Sequence, residues 1–187
     1  MEINSINNWI KGNYLTFKVS KCKYMLISCR RQYHCDPPKL LLDNFSLERV
    51  EYFKYLGILL NSDLSWSNHI TSICTKAHKL LGLLYCRFYK HAEPSALFQL
   101  YLSLVRPHLE YASDVWDPHL QKDVTLIENV QKFGLRICAK QWDLGYDELP
   151  SKFDVCTLQT CQLEHKLSTM FKIVRNLISF PPICTPP

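Results

Sequence analysis

The chain has 187 residues, with 22 Lys and Arg against 17 Asp and Glu, a formal net charge of +5, and hydrophobic residues at 47%. This length admits one ordinary domain or two small ones with a real core, and the composition excludes a disordered chain. The residues after Met1 are polar, no run approaches the ~20 apolar residues that span a bilayer, and the cysteines, nine in all, are irregularly spaced with no Cys-x2-Cys pair. An intracellular protein with reduced thiols, nuclear or cytoplasmic and not secreted, is therefore expected, without a zinc knuckle.

Glu2 to Lys11 read as a short helix with Ile3, Ile6, Trp9 and Ile10 on one face, stopped at Gly12-Asn13. Tyr14 to Phe17 and Lys23 to Ser28 read as two strands bracketing a tight connection. Arg30, Arg31 and His34 form a basic loop closed by Asp36-Pro37-Pro38. Lys39 to Leu42 and Phe45 to Leu47 flank Asp43-Asn44, a two-residue hairpin turn. Val50 to Leu60 is an aromatic and aliphatic run of the length of a buried strand.

At Asn61-Ser62-Asp63 the period changes from strand to helix. Apolar positions then fall at Trp66, Ile70, Ile73, Ala77, Leu80, Leu84 and Phe88, one face of a long helix reaching Tyr89. Pro94 suits the first turn of the next helix, with Leu97, Leu100, Tyr101, Leu104 and Val105 inward and Pro107 kinking or ending it. Leu109 to Trp116 adds further turns, and Asp117-Pro118 closes them. Asp123 reads as the N-cap of a helix burying Ile127, Val130, Gly134, Ile137 and Cys138. Gln141 to Pro150 reads as a loop. Thr157 caps a last helix, striped by Leu163, Leu167, Met170, Phe171, Val174, Leu177 and Ile178 and stopped by Pro181-Pro182. Trp66, Trp116 and Trp142 are expected to bury between helices. The fold class is thus α+β: a small antiparallel sheet with one flanking helix over 1–62, then an all-helical bundle over 63–187.

Phe53-Lys54-Tyr55-Leu56-Gly57, Leu64-Ser65-Trp66, His69-Ile70, Lys76-Ala77 and Leu81-Gly82 occur in one ordered series. Leu104-Val105-Arg106-Pro107-His108-Leu109-Glu110-Tyr111-Ala112-Ser113 and Val115-Trp116-Asp117-Pro118 continue it. The series resembles the region just after the catalytic core of non-LTR (LINE-type) retrotransposon reverse transcriptases. The resemblance implies the end of a polymerase palm, a primer grip around Phe53 to Gly57, and thumb-like helices lying along a template–primer duplex. Lys21-Cys22 and Met25 match the block after the family's catalytic turn, which places Lys21 at the position of the lysine near the incoming nucleotide's phosphates. Lys18 departs from the family's Asn, and Thr160-Cys161 from a pair of arginines.

Reverse transcription is a two-metal phosphoryl transfer on fixed carboxylates, and the parent family uses Mg2+. This chain has no Asp-Asp dipeptide, and Asp143, Asp147 and Glu148 read as a solvated loop. Isolated glycines and the absence of Gly-x-Ser-x-Gly leave phosphate-cradle and serine-hydrolase chemistry without a foothold. The expectation is a chain that does not polymerise alone, needs an upstream core for activity, and carries no cofactor of its own. As a binder of an RNA–DNA hybrid or RNA template–primer it would use Lys54 and Tyr55, then Lys76, Lys79, Arg87 and Lys90 off the apolar stripe of the long helix. Phe53 and Leu56 read as core, and Arg106 with Glu110 as a structural helix pair. A helical protein-interaction module that self-associates through its stripes, or a non-functional genomic relic, are the alternative readings.

Overall fold

The computed structural model describes residues 3–27, 39–42, 45–143, 145 and 148–178. The Arg30, Arg31 and His34 loop with Asp36-Pro37-Pro38, the Asp43-Asn44 turn, Asp147 and Pro181-Pro182 lie outside the described residues. The fold is α+β and divides into two compact units, Met1–His69 and Ile70–Pro187. Among the described residues no helix is long and apolar enough to cross a membrane.

In the first unit, α1 spans Ile3–Gly12. Its end is made by Tyr14 at φ 57°, with the Leu15 N–H donating to the Ile10 carbonyl at 3.1 Å and the Tyr14 N–H to that of Lys11 at 3.1 Å, a left-handed cap on a non-glycine residue. Ile6 and Trp9 are exposed, so the amphipathic face foreseen for α1 does not become core. The strand foreseen at Tyr14 to Phe17 does not form, since among the described residues no ladder partner takes its backbone; the chain passes instead into a 3-10 turn at Val19–Lys21. The second foreseen strand shrinks to β1, Lys23–Tyr24.

Leu41–Leu42 (β2) pairs antiparallel with Phe45–Ser46 (β3), as the hairpin pattern predicts, and β1 pairs in parallel with Glu48–Arg49 (β4). The Lys23 ammonium meets the Glu48 carboxylate at 2.9 Å across that pair. Val50 to Leu60 is not one buried strand. It folds back on itself as β5, Tyr52–Tyr55, and β6, Ile58–Asn61. The two turn residues, Leu56 at φ 46° and Gly57 at φ 91°, both take the positive φ that a tight hairpin between twisted strands demands. All of β5 is exposed, and Leu56 at the tip is 71% exposed, so neither Phe53 nor Leu56 is core. Among the described residues the unit therefore holds three separate two-stranded ladders.

Turn chemistry joins the hairpin to the long helix α2, Ser67–Phe88. Asp63 Oδ1 accepts from the Ser65 N–H at 2.9 Å, and Asn61 Nδ2 donates to the Ser65 carbonyl at 2.9 Å. Buried His69 accepts the Leu59 N–H on Nδ1 at 3.2 Å, tying β6 to the first turn of α2.

The second unit is helical. The α2 stripe buries Ile70, Ile73, Ala77 and Leu84 as predicted, joined by Cys74 and Leu81, while Phe88 at its end is exposed. Helix α3, Pro94–Leu100, starts with its proline in the first turn. Pro107 does not end the helical run: the backbone passes through a π-turn at Tyr101–Val105 into α4, Arg106–Glu110, with Pro107 in its first turn. In the wide turn the Arg106 N–H reaches back five residues to the Tyr101 carbonyl, and Ser103 Oγ donates to the Gln99 carbonyl at 2.8 Å. Leu97, Tyr101, Val105 and Leu109 are buried, whereas Leu104 is exposed.

Ala112, at φ 53°, separates α4 from the short α5, Ser113–Trp116, whose Trp116 is fully buried and donates Nε1–H to the Tyr111 carbonyl at 2.9 Å. Helix α6 spans Gln121–Ala139 and buries the inward set foreseen for it. Its N-cap is Leu120, not Asp123, which sits inside the first turn where a carboxylate complements the helix dipole. Gly134 lets Tyr101 approach: a Cβ there would stand 2.6 Å from Tyr101 Cε2. The segment read as a loop up to Pro150 already enters α7, Glu148–Phe153, with Leu149 buried. Helix α8, Leu158–Val174, is capped by Thr157 as predicted, its Oγ1 accepting the Thr160 N–H at 3.2 Å. It ends well before Pro181-Pro182, because Asn176 turns left-handed at φ 53° and the Leu177 N–H returns to the Lys172 carbonyl at 2.8 Å. The apolar stripe predicted for α8 is exposed.

Candidate nucleic-acid interface

Duplex or single-strand binding asks for cations at the spacing of phosphates and for planar groups that lie against sugars and bases. The residues predicted to supply them fall in both units. In the first, Lys54 lines an open groove of about 630 Å³ together with Lys23, Arg49, Tyr52 and Phe53. Lys23 is already paired with Glu48, which leaves Lys54 and Arg49 as the cations facing this groove with no ion pair among the described residues. Tyr55 does not line the groove; it is exposed beside the hairpin turn. Lys21 is exposed at the end of the 3-10 turn, and nothing described around it forms a phosphate-holding pocket.

In the second unit, Lys76, Lys79 and Arg87 of α2 are all exposed, and at ~100° per residue they share roughly a quarter of the helix circumference. Lys90 follows in the turn after the helix and is exposed as well. Among the described residues none of these four is in an ion pair. The apolar stripe of α2 explains the arrangement: core residues fix the rotation of the helix, and the cations are left along one flank.

On the other flank stands a cluster that sequence reasoning missed. His78 stacks on Phe133 with ring centroids 6.1 Å apart, Phe133 lies 6.0 Å from Trp142, and Trp142 meets Tyr85 edge-on at 6.3 Å. Tyr85 and Tyr89 are 4.6 Å apart, Trp142 Nε1–H donates to the Tyr89 hydroxyl at 3.3 Å, and Lys140 Nζ sits 5.7 Å over the Tyr89 ring. Trp142 is 42% exposed, so it does not bury between helices; Trp66 is half-buried and only Trp116 fully so. The available signal was the spacing of His78 and Tyr85 on α2 and Tyr89 just past its end, steps of seven and four that continue one helix face. Its partners come from α6 and residue 142, and only the fold brings them there.

Other sequence candidates are structural. Arg106 Nε bonds Glu110 Oε1 at 2.6 Å, as the helix-pair reading predicts, and its Nη2 donates to Cys161 Sγ at 3.0 Å. Cys22, Cys74, Cys86, Cys138, Cys156 and Cys161 are free thiols, and burial pushes Cys74 and Cys138 up to about 12, far from a thiolate at neutral pH. Asp143 and Glu148 are exposed. Among the described residues no group of three or more His, Cys, Asp or Glu is placed to hold a metal ion. No protein-family model, no curated protein and no solved structure matches this chain.

Proposed function

We propose that this chain is a truncated non-LTR retrotransposon reverse transcriptase that holds an RNA–DNA hybrid or RNA template–primer and does not itself polymerise. The supporting observation is the flank of α2, where exposed Lys76, Lys79 and Arg87, followed by Lys90, stand in a row without carboxylate partners among the described residues. Such a row releases counterions from a nucleic-acid backbone, giving an affinity that falls steeply with salt. Lys54 and Tyr55 would contact the primer strand from the hairpin, and the Tyr85, Tyr89 and Trp142 rings would take unpaired bases at the duplex end. Polymerisation would require the magnesium-binding carboxylates of an upstream core.

Fluorescence anisotropy with a labelled RNA–DNA hybrid tests this. Reversing Lys76, Lys79 and Lys90 to Glu should abolish binding at low salt, and each single Lys→Ala change should lower the salt slope by about 1. No affinity for the hybrid at low salt would overturn the reading. Template-dependent primer extension by the chain alone, with magnesium or manganese, would overturn its non-catalytic half.

A further inference from the structure

Helix α8 has one docked side and one apolar, exposed side. On the docked side Leu158 and Gln162 are buried, His165 Nδ1 lies 3.2 Å from Ser113 Oγ, Lys166 pairs with Asp117 at 2.6 Å, and Thr169 donates to Asp114 at 2.8 Å. These links hold the helix rigidly against α5. The opposite side carries Leu163, Leu167, Met170 and Val174 at steps of four, three and four, with Phe171 alongside, each between 53% and 73% exposed. That spacing is a heptad seam, straight along the helix for ~16 Å. A contiguous exposed apolar strip on a rigid element marks an interaction surface.

The charges along its edge select the occupant. Glu164, Phe171 and Arg175 follow one another at steps of seven and four, so they share one margin of the seam, acid at the N-terminal end and base at the C-terminal end. The Arg175 guanidinium lies 5.5 Å over the Phe171 ring, which keeps it on this margin. A second copy laid antiparallel about a two-fold axis sets Leu163 across from Val174, Leu167 across from Met170, and each Glu164 beside Arg175 of the other copy. A parallel copy would set these margins on opposite sides of the seam, where no such pair forms. We infer that the exposed face of α8 is a self-association surface whose occupant is α8 of a second copy, antiparallel. The seam is too short for a free-standing coiled coil, so the contact depends on the anchored helix and forms a weak, reversible dimer.

Sedimentation velocity on the full chain over a concentration series tests this independently of nucleic-acid binding. The wild type should move from monomer to dimer, and Leu167→Glu should stay monomeric with unchanged far-UV circular dichroism. If Leu167→Glu lowers helicity, Met170→Ser provides the same reading. Glu164→Arg and Arg175→Glu should each weaken the dimer several-fold, and the double reversal should recover it. A wild type that stays monomeric at the highest attainable concentration, whether its strip is free or covered by residues 179–187, overturns the inference. So does a dimer that Leu167→Glu leaves intact, or one that the double reversal fails to recover.

Discussion

The sheet-bearing unit and the helical unit place their apolar residues in opposite ways. Among the described residues Leu42 is the one buried hydrophobic of Met1–His69, while Tyr52, Tyr55, Leu56 and Phe45 of its ladders are exposed. In Ile70–Pro187 the stripes of α2, α3, α4 and α6 are buried, and Tyr101, Leu135 and Trp116 are among the fully buried side chains. A helix satisfies its own backbone and needs only a neighbour for one stripe, whereas a strand needs partners along its edges and a cover for its face. Among the described residues the two-stranded ladders supply neither, and an isolated two-stranded hairpin is marginal in water. The order of the first unit accordingly rests on local devices: the Leu56-Gly57 turn, the Asn61 and Asp63 side chains, and the His69 bond.

Substitutions in each unit should separate these two regimes. The largest effect belongs to the helical core. Tyr101→Ala should cost about 3–5 kcal/mol in urea unfolding. Gly134→Ala should cost about 1–3 kcal/mol by pressing on the Tyr101 ring, and markedly less in the Tyr101→Ala background. Additive losses would show that the ring and the glycine are not coupled. A smaller effect of the opposite sign is expected in the hairpin, where Leu56→Asn relieves a left-handed leucine and should raise amide protection across β5 and β6 by about 1 kcal/mol. The melting of the helical unit should not move.

The smallest effect is a pH dependence. The Ser65 backbone N–H, then its hydroxyl, holds the Asp63 carboxyl below its ordinary value of 3.8. Because the folded state favours the carboxylate, this stabilisation is present above the ordinary value and lost as pH falls below it through the folded pKa. Hairpin protection should therefore weaken slightly over that acid window. Asp63→Asn should flatten the dependence without touching the helical unit.

Legibility in the sequence follows the same division. The rotation of α2, the inward set of α6, the first-turn Pro94, the Thr157 cap and the Arg106–Glu110 pair were all readable, because each depends on residues a few positions apart. The basic flank of α2 was readable for the same reason, as what the stripe leaves over. The tight turn was hidden because leucine is not a residue that advertises positive φ. For α8 the periodicity announced an apolar face but carries no information about what covers it. Asp123 misled because its chemistry suits a cap and a first turn equally. The aromatic cluster needed α2, α6 and residue 142 in register, a juxtaposition that no local pattern encodes.

Leu97, Tyr101, Val105 and Leu109 recur every fourth residue, and all four are buried. In an ideal α-helix such a row drifts by about 40° per step, so three steps would carry Leu109 most of the way round to solvent. The π-turn at Tyr101–Val105 takes more residues per turn and winds the drift back. The segment thus behaves as a helix holding one residue more than its phase allows, with the surplus lodged where Pro107 has no hydrogen to give. Its length and its proline are two halves of one adjustment, and the arginine that begins the next turn owes its inward aim to that extra residue.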